Sequence, residues 1–151
     1  MDSLDRQILE TVQSDFPLCR DPYEVLARRV GISVDEFRKR LEELIDVGVI
    51  RRLGIFLDSH KLGFSSTLVA LSVGQTAVDR AAELISSFPE VTHSYLRTGE
   101  FNIWFTVLAA DERAIEQILE QVRCRLKLDR SKILNLPMKR QFKLDARFKL
   151  S

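Results

Sequence analysis

VTHSYLRTGEFNIWFTVL, residues 91–108, decides the fold. Both halves alternate in polarity, and Gly99-Glu100 between them suits a two-residue turn with glycine at its first central position. That register sets Thr98 opposite Phe101, Arg97 opposite Asn102 and Leu96 opposite Ile103. It also sets Tyr95 opposite Trp104, Ser94 opposite Phe105 and His93 opposite Thr106. With a side-chain period of two, Leu96, Phe101, Ile103, Phe105 and Val107 share one face. His93, Tyr95, Arg97, Asn102, Trp104 and Thr106 share the other. A three-residue turn would mix the two sets, which argues against it.

Working outward, Thr67–Val73 reads as a strand and Ala77–Phe88 as a helix with Ala81, Leu84 and Ile85 inward. After the hairpin come a helix over Asp111–Cys124, with Ile115, Ile118, Leu119 and Val122 inward, and a strand near Ile133–Met138. The order βαββαβ predicts a ferredoxin-like antiparallel sheet with both helices on one face, an α+β architecture. Phe142–Leu150 alternates strictly, with Phe142, Leu144, Ala146, Phe148 and Leu150 on one side. Lys143, Asp145, Arg147 and Lys149 fall on the other, and the pattern predicts an extra C-terminal strand.

The first third reads as three short helices. Leu4, Ile8 and Val12 recur every four residues behind Ser3 as N-cap, and Pro17 stops that helix. Asp21-Pro22 opens a second helix through Val30. Gly31-Ile32-Ser33 turns into a third, where Ser33 and Glu36 form a capping box and Phe37, Leu41, Leu44 and Ile45 form the buried stripe. Gly48 ends it, and Val49–Leu57 alternates like a wing. The layout is that of a winged helix-turn-helix. The division expected is therefore 1–60 for this module and 61–151 for the ferredoxin-like domain.

Composition bounds the function. No apolar run approaches the ~18 residues of a membrane span, and the acidic, amphipathic N-terminus is neither a signal nor a transit peptide. Cys19 and Cys124 form no paired motif, which fits free thiols in a reducing cytoplasm. The net charge of +1 conceals an asymmetry: residues 1–50 carry 7 basic and 11 acidic side chains, residues 126–151 carry 8 and 2. The helix that would enter the major groove opens with Val34-Asp35-Glu36. An acidic module repels phosphates, so DNA is not the expected partner. A Gly-rich phosphate loop, a supported Ser/His/Asp arrangement and a cluster with metal-ligand spacing are all missing from the sequence.

The polar hairpin face has two readings. Tyr and Trp serve as anchors at a subunit interface, with Arg97 as ion-pair partner. The same face suits a flat, anionic, aromatic ligand: Trp104 and Tyr95 supply stacking area, Arg97 a carboxylate clamp, and His93 a proton donor or iron ligand. The two are compatible if the ligand lies at the interface.

Four stretches carry a resemblance: SDFPLCRDPYEVLARRVGIS, GVIRRLGIFLDSHKLGFSSTLVAL, VTHSYLRTGEFNIWFT and LPMKRQFKLDARF. Through them nearly the whole chain resembles the AsnC/Lrp-like siroheme decarboxylases of the alternative heme and heme d1 pathways. General AsnC/Lrp regulators share the two-domain architecture but not the FPL and PY pair, the double arginine or the HxYxR…NxWF hairpin. The pattern departs from the family at Ser94, where asparagine is expected, and at Gly99, often a second histidine.

The resemblance implies a carboxy-lyase that removes CO2 from the C12 and C18 acetates of siroheme to give 12,18-didecarboxysiroheme. It implies no cofactor beyond the iron-tetrapyrrole of the substrate, and a homologous subunit as partner in a heterodimer or larger assembly. His93 and Arg97 are the candidate catalytic residues. Arg51, Arg52, Tyr95, Asn102, Trp104, Lys139, Lys143 and Arg147 are candidates for substrate binding. No protein metal site is expected, although His93 as axial ligand to the substrate iron stands beside its role as proton donor. The alternatives are a regulator of the AsnC/Lrp type that senses a small ligand or heme, and a non-catalytic partner subunit.

Overall fold

The computed structural model describes residues 1–55 and 57–150. They divide into two compact units, one formed by the described residues of 1–56 and 143–151, the other by 57–142.

The helical unit comprises α1 (Ser3–Ser14), α2 (Pro22–Val30) and α3 (Val34–Asp46). Asp2, rather than Ser3, caps α1: its carboxylate accepts the Asp5 N–H at 2.8 Å, and the Asp5 carboxylate accepts the Asp2 N–H at 2.7 Å. This reciprocal box satisfies two of the N–H groups that a helix start leaves unpaired. Gly31, at φ +81, closes α2 in a left-handed conformation that costs glycine little. Ser33 caps α3 through the Glu36 N–H at 3.2 Å, but the Glu36 carboxylate turns to Arg40 instead of completing the box. Ile8, Leu26, Ala27, Phe37, Leu41, Leu44 and Ile50 form the core, while Ile45, placed in that stripe by its spacing, is exposed.

The expected wing is not a strand among its described residues. Ile50 is buried, its N–H bonded to the Leu44 carbonyl at 3.0 Å, whereas Val49, Leu53, Ile55 and Leu57 are exposed. Among the described residues their alternation forms no ladder. Phe56, part of the same expectation, lies outside the described residues.

The second unit contains β1 (Ser65–Leu71), α4 (Val78–Ser86), β2 (Val91–Leu96), β3 (Ile103–Ala109), α5 (Glu112–Leu126) and β4 (Ile133–Pro137). The sheet runs β2-β3-β1-β4, with every neighbouring pair antiparallel. Val69 and Leu71 of β1 and Ile103, Phe105 and Val107 of β3 meet Ala81 and Ile85 of α4 and Ile115, Ile118 and Val122 of α5. One face of the sheet is thus packed and the other left open, as the alternation requires. Thr67, the buried polar residue of β1, donates its hydroxyl to the Asn135 side-chain oxygen at 2.6 Å. No helix among the described residues is long and apolar enough to cross a membrane.

The extra C-terminal strand is absent among the described residues. Beyond Pro137 the described residues form no ladder, and 143–150 group with the helical unit. Phe142, Leu144 and Phe148 are 86%, 81% and 74% exposed, so the alternation of this segment does not resolve into a buried and an open face.

Candidate functional site

The hairpin positions the site, and its register is the one that the Gly99-Glu100 turn dictates. His93 stands opposite Thr106, Ser94 opposite Phe105, Tyr95 opposite Trp104 and Leu96 opposite Ile103. The Arg97 N–H donates to the Asn102 carbonyl at 2.7 Å, and Gly99 has φ +119 in the turn. L side chains are strained in that conformation, so a histidine at position 99 would require a different turn. Ser94, the other departure from the family pattern, sits across from buried Phe105, on the packed side of the sheet.

A β-bulge at the start of β2 shapes the open face. Val91 stands opposite Val107 and His93 opposite Thr106, so Thr92 is an extra residue on its strand. Without the bulge, Val91 and His93 would share a face. With it, Val91 packs against the core and His93 joins the open side. The sequence carried no sign of this, because a threonine in a strand has no bulge signature.

On the open face the His93 and Tyr95 rings stack, their centroids 6.4 Å apart and their planes 19° from parallel. The Arg97 guanidinium lies 6.0 Å from the centre of the Trp104 ring, its diagonal neighbour across the strands. His93 Nδ1 is 3.0 Å from the Thr92 hydroxyl. His93, Tyr95 and Arg97 are exposed and Trp104 is half-buried, its indole N–H held by the Phe101 carbonyl at 2.8 Å. The imidazole, the phenol and the guanidinium are therefore presented to solvent on one side of the hairpin.

Asn102 is differently engaged. Its side-chain oxygen accepts the Val73 N–H at 3.1 Å, its amide donates to the Val73 carbonyl at 2.9 Å, and its own N–H reaches the Leu71 carbonyl at 2.8 Å. It ties the mouth of the hairpin to the end of β1. Leu96, expected on the packed face, is 61% exposed because it ends the edge strand β2.

The ladder pairings extend the face across the sheet. Tyr95, Trp104, Ala70 and Leu134 form one row, and His93, Thr106, Leu68 and Leu136 the next. The β2–β3 half is aromatic and cationic, the β1–β4 half aliphatic. Sequence reading missed that second half, since which strands flank the hairpin is a property of topology and not of local pattern.

The remaining candidate cations are on other segments of the chain. Lys139 follows β4 and is exposed; Arg51 and Arg52 are exposed on the segment after α3; Lys143 and Arg147 are on the tail, with the helical unit. Arg147 is already paired, its Nε 2.8 Å and Nη2 2.9 Å from the two Asp145 carboxylate oxygens. That guanidinium holds the Asp145 carboxyl down at about 2. In α3, Arg40 is bound by Asp2 and Asp5 at 2.9 Å each and by Glu36 at 3.2 Å.

Two families of known proteins match this chain. A family described as "Siroheme decarboxylase NirDL-like HTH domain" matches residues 5–51, and one described as "AsnC-like ligand binding domain" matches residues 61–143. The siroheme decarboxylase alpha subunit of Desulfovibrio desulfuricans is 39% identical over 99% of this chain and 85% of its own length. The siroheme decarboxylase NirDL, whose crystal structure is known, superposes with a TM-score of 0.74 at 31% identity, covering 99% of this chain and 48% of that longer one. The same enzyme in complex with an iron-uroporphyrin III analogue superposes with a TM-score of 0.71 at 32% identity over 89% of this chain and 44% of that one. With similarity to a curated decarboxylase subunit running from end to end, this chain belongs to the siroheme decarboxylase family of the AsnC/Lrp-like fold.

Proposed function

We propose that this chain is a subunit of a carboxy-lyase that removes CO2 from the C12 and C18 acetates of siroheme, leaving methyl groups. The reading rests chiefly on the open face of the hairpin, where His93, Tyr95, Arg97 and Trp104 stand together over an apolar row. A flat macrocycle finds stacking area there, and a peripheral carboxylate finds the Arg97 fork. When the bond from the methylene carbon to the carboxylate breaks, its electron pair passes into the conjugated substrate. A proton must then reach that carbon. His93 is the proposed donor. Lys139, Arg51, Arg52, Lys143 and Arg147 are proposed partners for other carboxylates, Tyr95 and Trp104 for the ring plane. Asn102 is proposed to tie the hairpin to the end of β1 through Val73 rather than to contact substrate.

We propose a homologous subunit as the second half of a cytoplasmic heterodimer. DNA is not a proposed ligand. The exposed charge of α3 is acidic, and three carboxylates already hold Arg40. A sequence-specific footprint at moderate salt would favour a regulator instead.

The test is to incubate the chain with siroheme, alone and with its homologous subunit, and weigh the product for lost CO2. His93→Ala is expected to bind siroheme and turn over roughly 10²- to 10⁴-fold more slowly in a single turnover. A changed absorption spectrum with weakened binding would make His93 an axial ligand. Arg97→Ala should raise KM and Arg97→Lys restore it only in part, since lysine lacks the planar fork. Wild-type spectrum and rate in His93→Ala would place the chemistry outside the hairpin.

A further inference from the structure

The tail is attached to α1 in an unusual manner. The Gln13 side-chain amide donates to the Phe148 carbonyl at 2.6 Å, and its oxygen accepts the Phe148 N–H at 2.8 Å. Three residues earlier on the same helix, the Glu10 carboxylate accepts the Leu150 N–H at 3.0 Å. A primary amide that pairs with both the N–H and the C=O of one residue does what a neighbouring strand would do. Two side chains of a helix thus stand in for the ladder that the tail lacks.

Apolar packing does not account for the attachment, because Phe148 and Leu144 remain largely exposed. The contact reads backbone and leaves the Phe148 ring outward. Gln13 holds the tail at one residue, Phe148. Arg147 is the immediate neighbour of the residue that is held.

We infer that Gln13 is a positioning residue: it holds the C-terminal tail on α1, and through that contact the stations of Lys143 and Arg147 as partners of substrate carboxylates. This rests on the proposed role of those two cations. Gln13 itself touches no substrate.

Hydrogen–deuterium exchange at Phe148 and Leu150, with kcat and KM for siroheme in the presence of the homologous subunit, tests it. Gln13 is only partly buried on a helix surface, so the variants should fold. Loss of two hydrogen bonds in Gln13→Ala should speed exchange at Phe148 roughly tenfold and raise KM about fivefold. A kcat within about twofold of wild type is expected, since the reacting atoms are untouched. Gln13→Glu keeps the acceptor for the Phe148 N–H and loses the donor to its carbonyl, so it should lie between. Unchanged exchange at Phe148 in Gln13→Ala overturns the clamp. Faster exchange with unchanged KM, while Lys143→Glu with Arg147→Glu still raises KM, overturns the positioning role and spares the cations. If that double reversal leaves KM unchanged, the tail does not bind substrate and the inference falls with it.

Discussion

Residues 91–109 and 142–150 are written in the same alphabet, apolar and charged by turns, and they meet opposite fates. In the hairpin, Phe105 is 1% exposed and its neighbours His93 and Tyr95 face outward. In the tail, Phe142, Leu144 and Phe148 are exposed alongside the cations. The difference lies in the backbone. β3 has β2 on one side and β1 on the other, so its N–H and C=O groups are paired and its two faces are defined. The tail follows Pro137, which has no N–H to give a ladder, and its backbone is met by Gln13 and Glu10 instead of by a strand. Alternation says which residues would share a face. It does not supply the sheet.

The sharpest test of that contrast exchanges equivalent residues for alanine. Phe105→Ala removes a fully buried ring from the core of the sheet unit and should cost about 3–5 kcal/mol. Phe148→Ala removes a ring that is mostly in water, so its effect on stability should stay within about 0.5 kcal/mol. Denaturant unfolding of the full chain measures both. If Phe148→Ala proved as damaging as Phe105→Ala, the tail would belong to a core, and the contrast would collapse.

A smaller effect separates support from contact within the hairpin itself. Asn102→Ala leaves the Val73 N–H and carbonyl without their partners and should destabilise the sheet unit by about 1–3 kcal/mol. Asn102→Asp keeps an acceptor for the N–H but none of the donation, and should fall between. A raised KM with an unchanged melting temperature would return Asn102 to the substrate.

These residues also show what could be read beforehand. The register of β2 and β3 was legible because Gly99-Glu100 is a turn with one stable geometry, and every pair from His93–Thr106 to Leu96–Ile103 follows from it. The α+β fold class was legible for a similar reason, since helical and strand periods differ. The bulge at Thr92 was not, because it is set by the competing demands of Val91 for the core and of the ladder beyond it. Nor was the Gln13 clamp, which joins residues 135 positions apart by backbone atoms that every residue possesses. The Asp145–Arg147 pair was within reach of the sequence, two residues apart, but a count of tail charges treats Arg147 as available when it is already held.

That pair carries the smallest prediction. The Asp145 carboxylate occupies both arms of the Arg147 fork, as a substrate carboxylate would. Exposed pairs of this kind contribute little, so masking should be slight. Asp145→Asn should lower KM for siroheme by no more than about threefold, and the gain should shrink with added salt as the attraction is screened. The pH dependence has a definite sign. Arg147 lowers the Asp145 carboxyl from 3.8 to about 2, so the pair is fully formed above the unfolded value and is lost only as pH falls through the folded one. Between pH 5 and 8 the ratio of the two KM values should therefore be flat, as far as Asp145 is concerned. KM measured at several salt concentrations and at both ends of that range decides the matter. A KM that rises in Asp145→Asn would mean that Asp145 aims the guanidinium rather than masking it, and the tail would then be ordered by its own side chains as well as by Gln13.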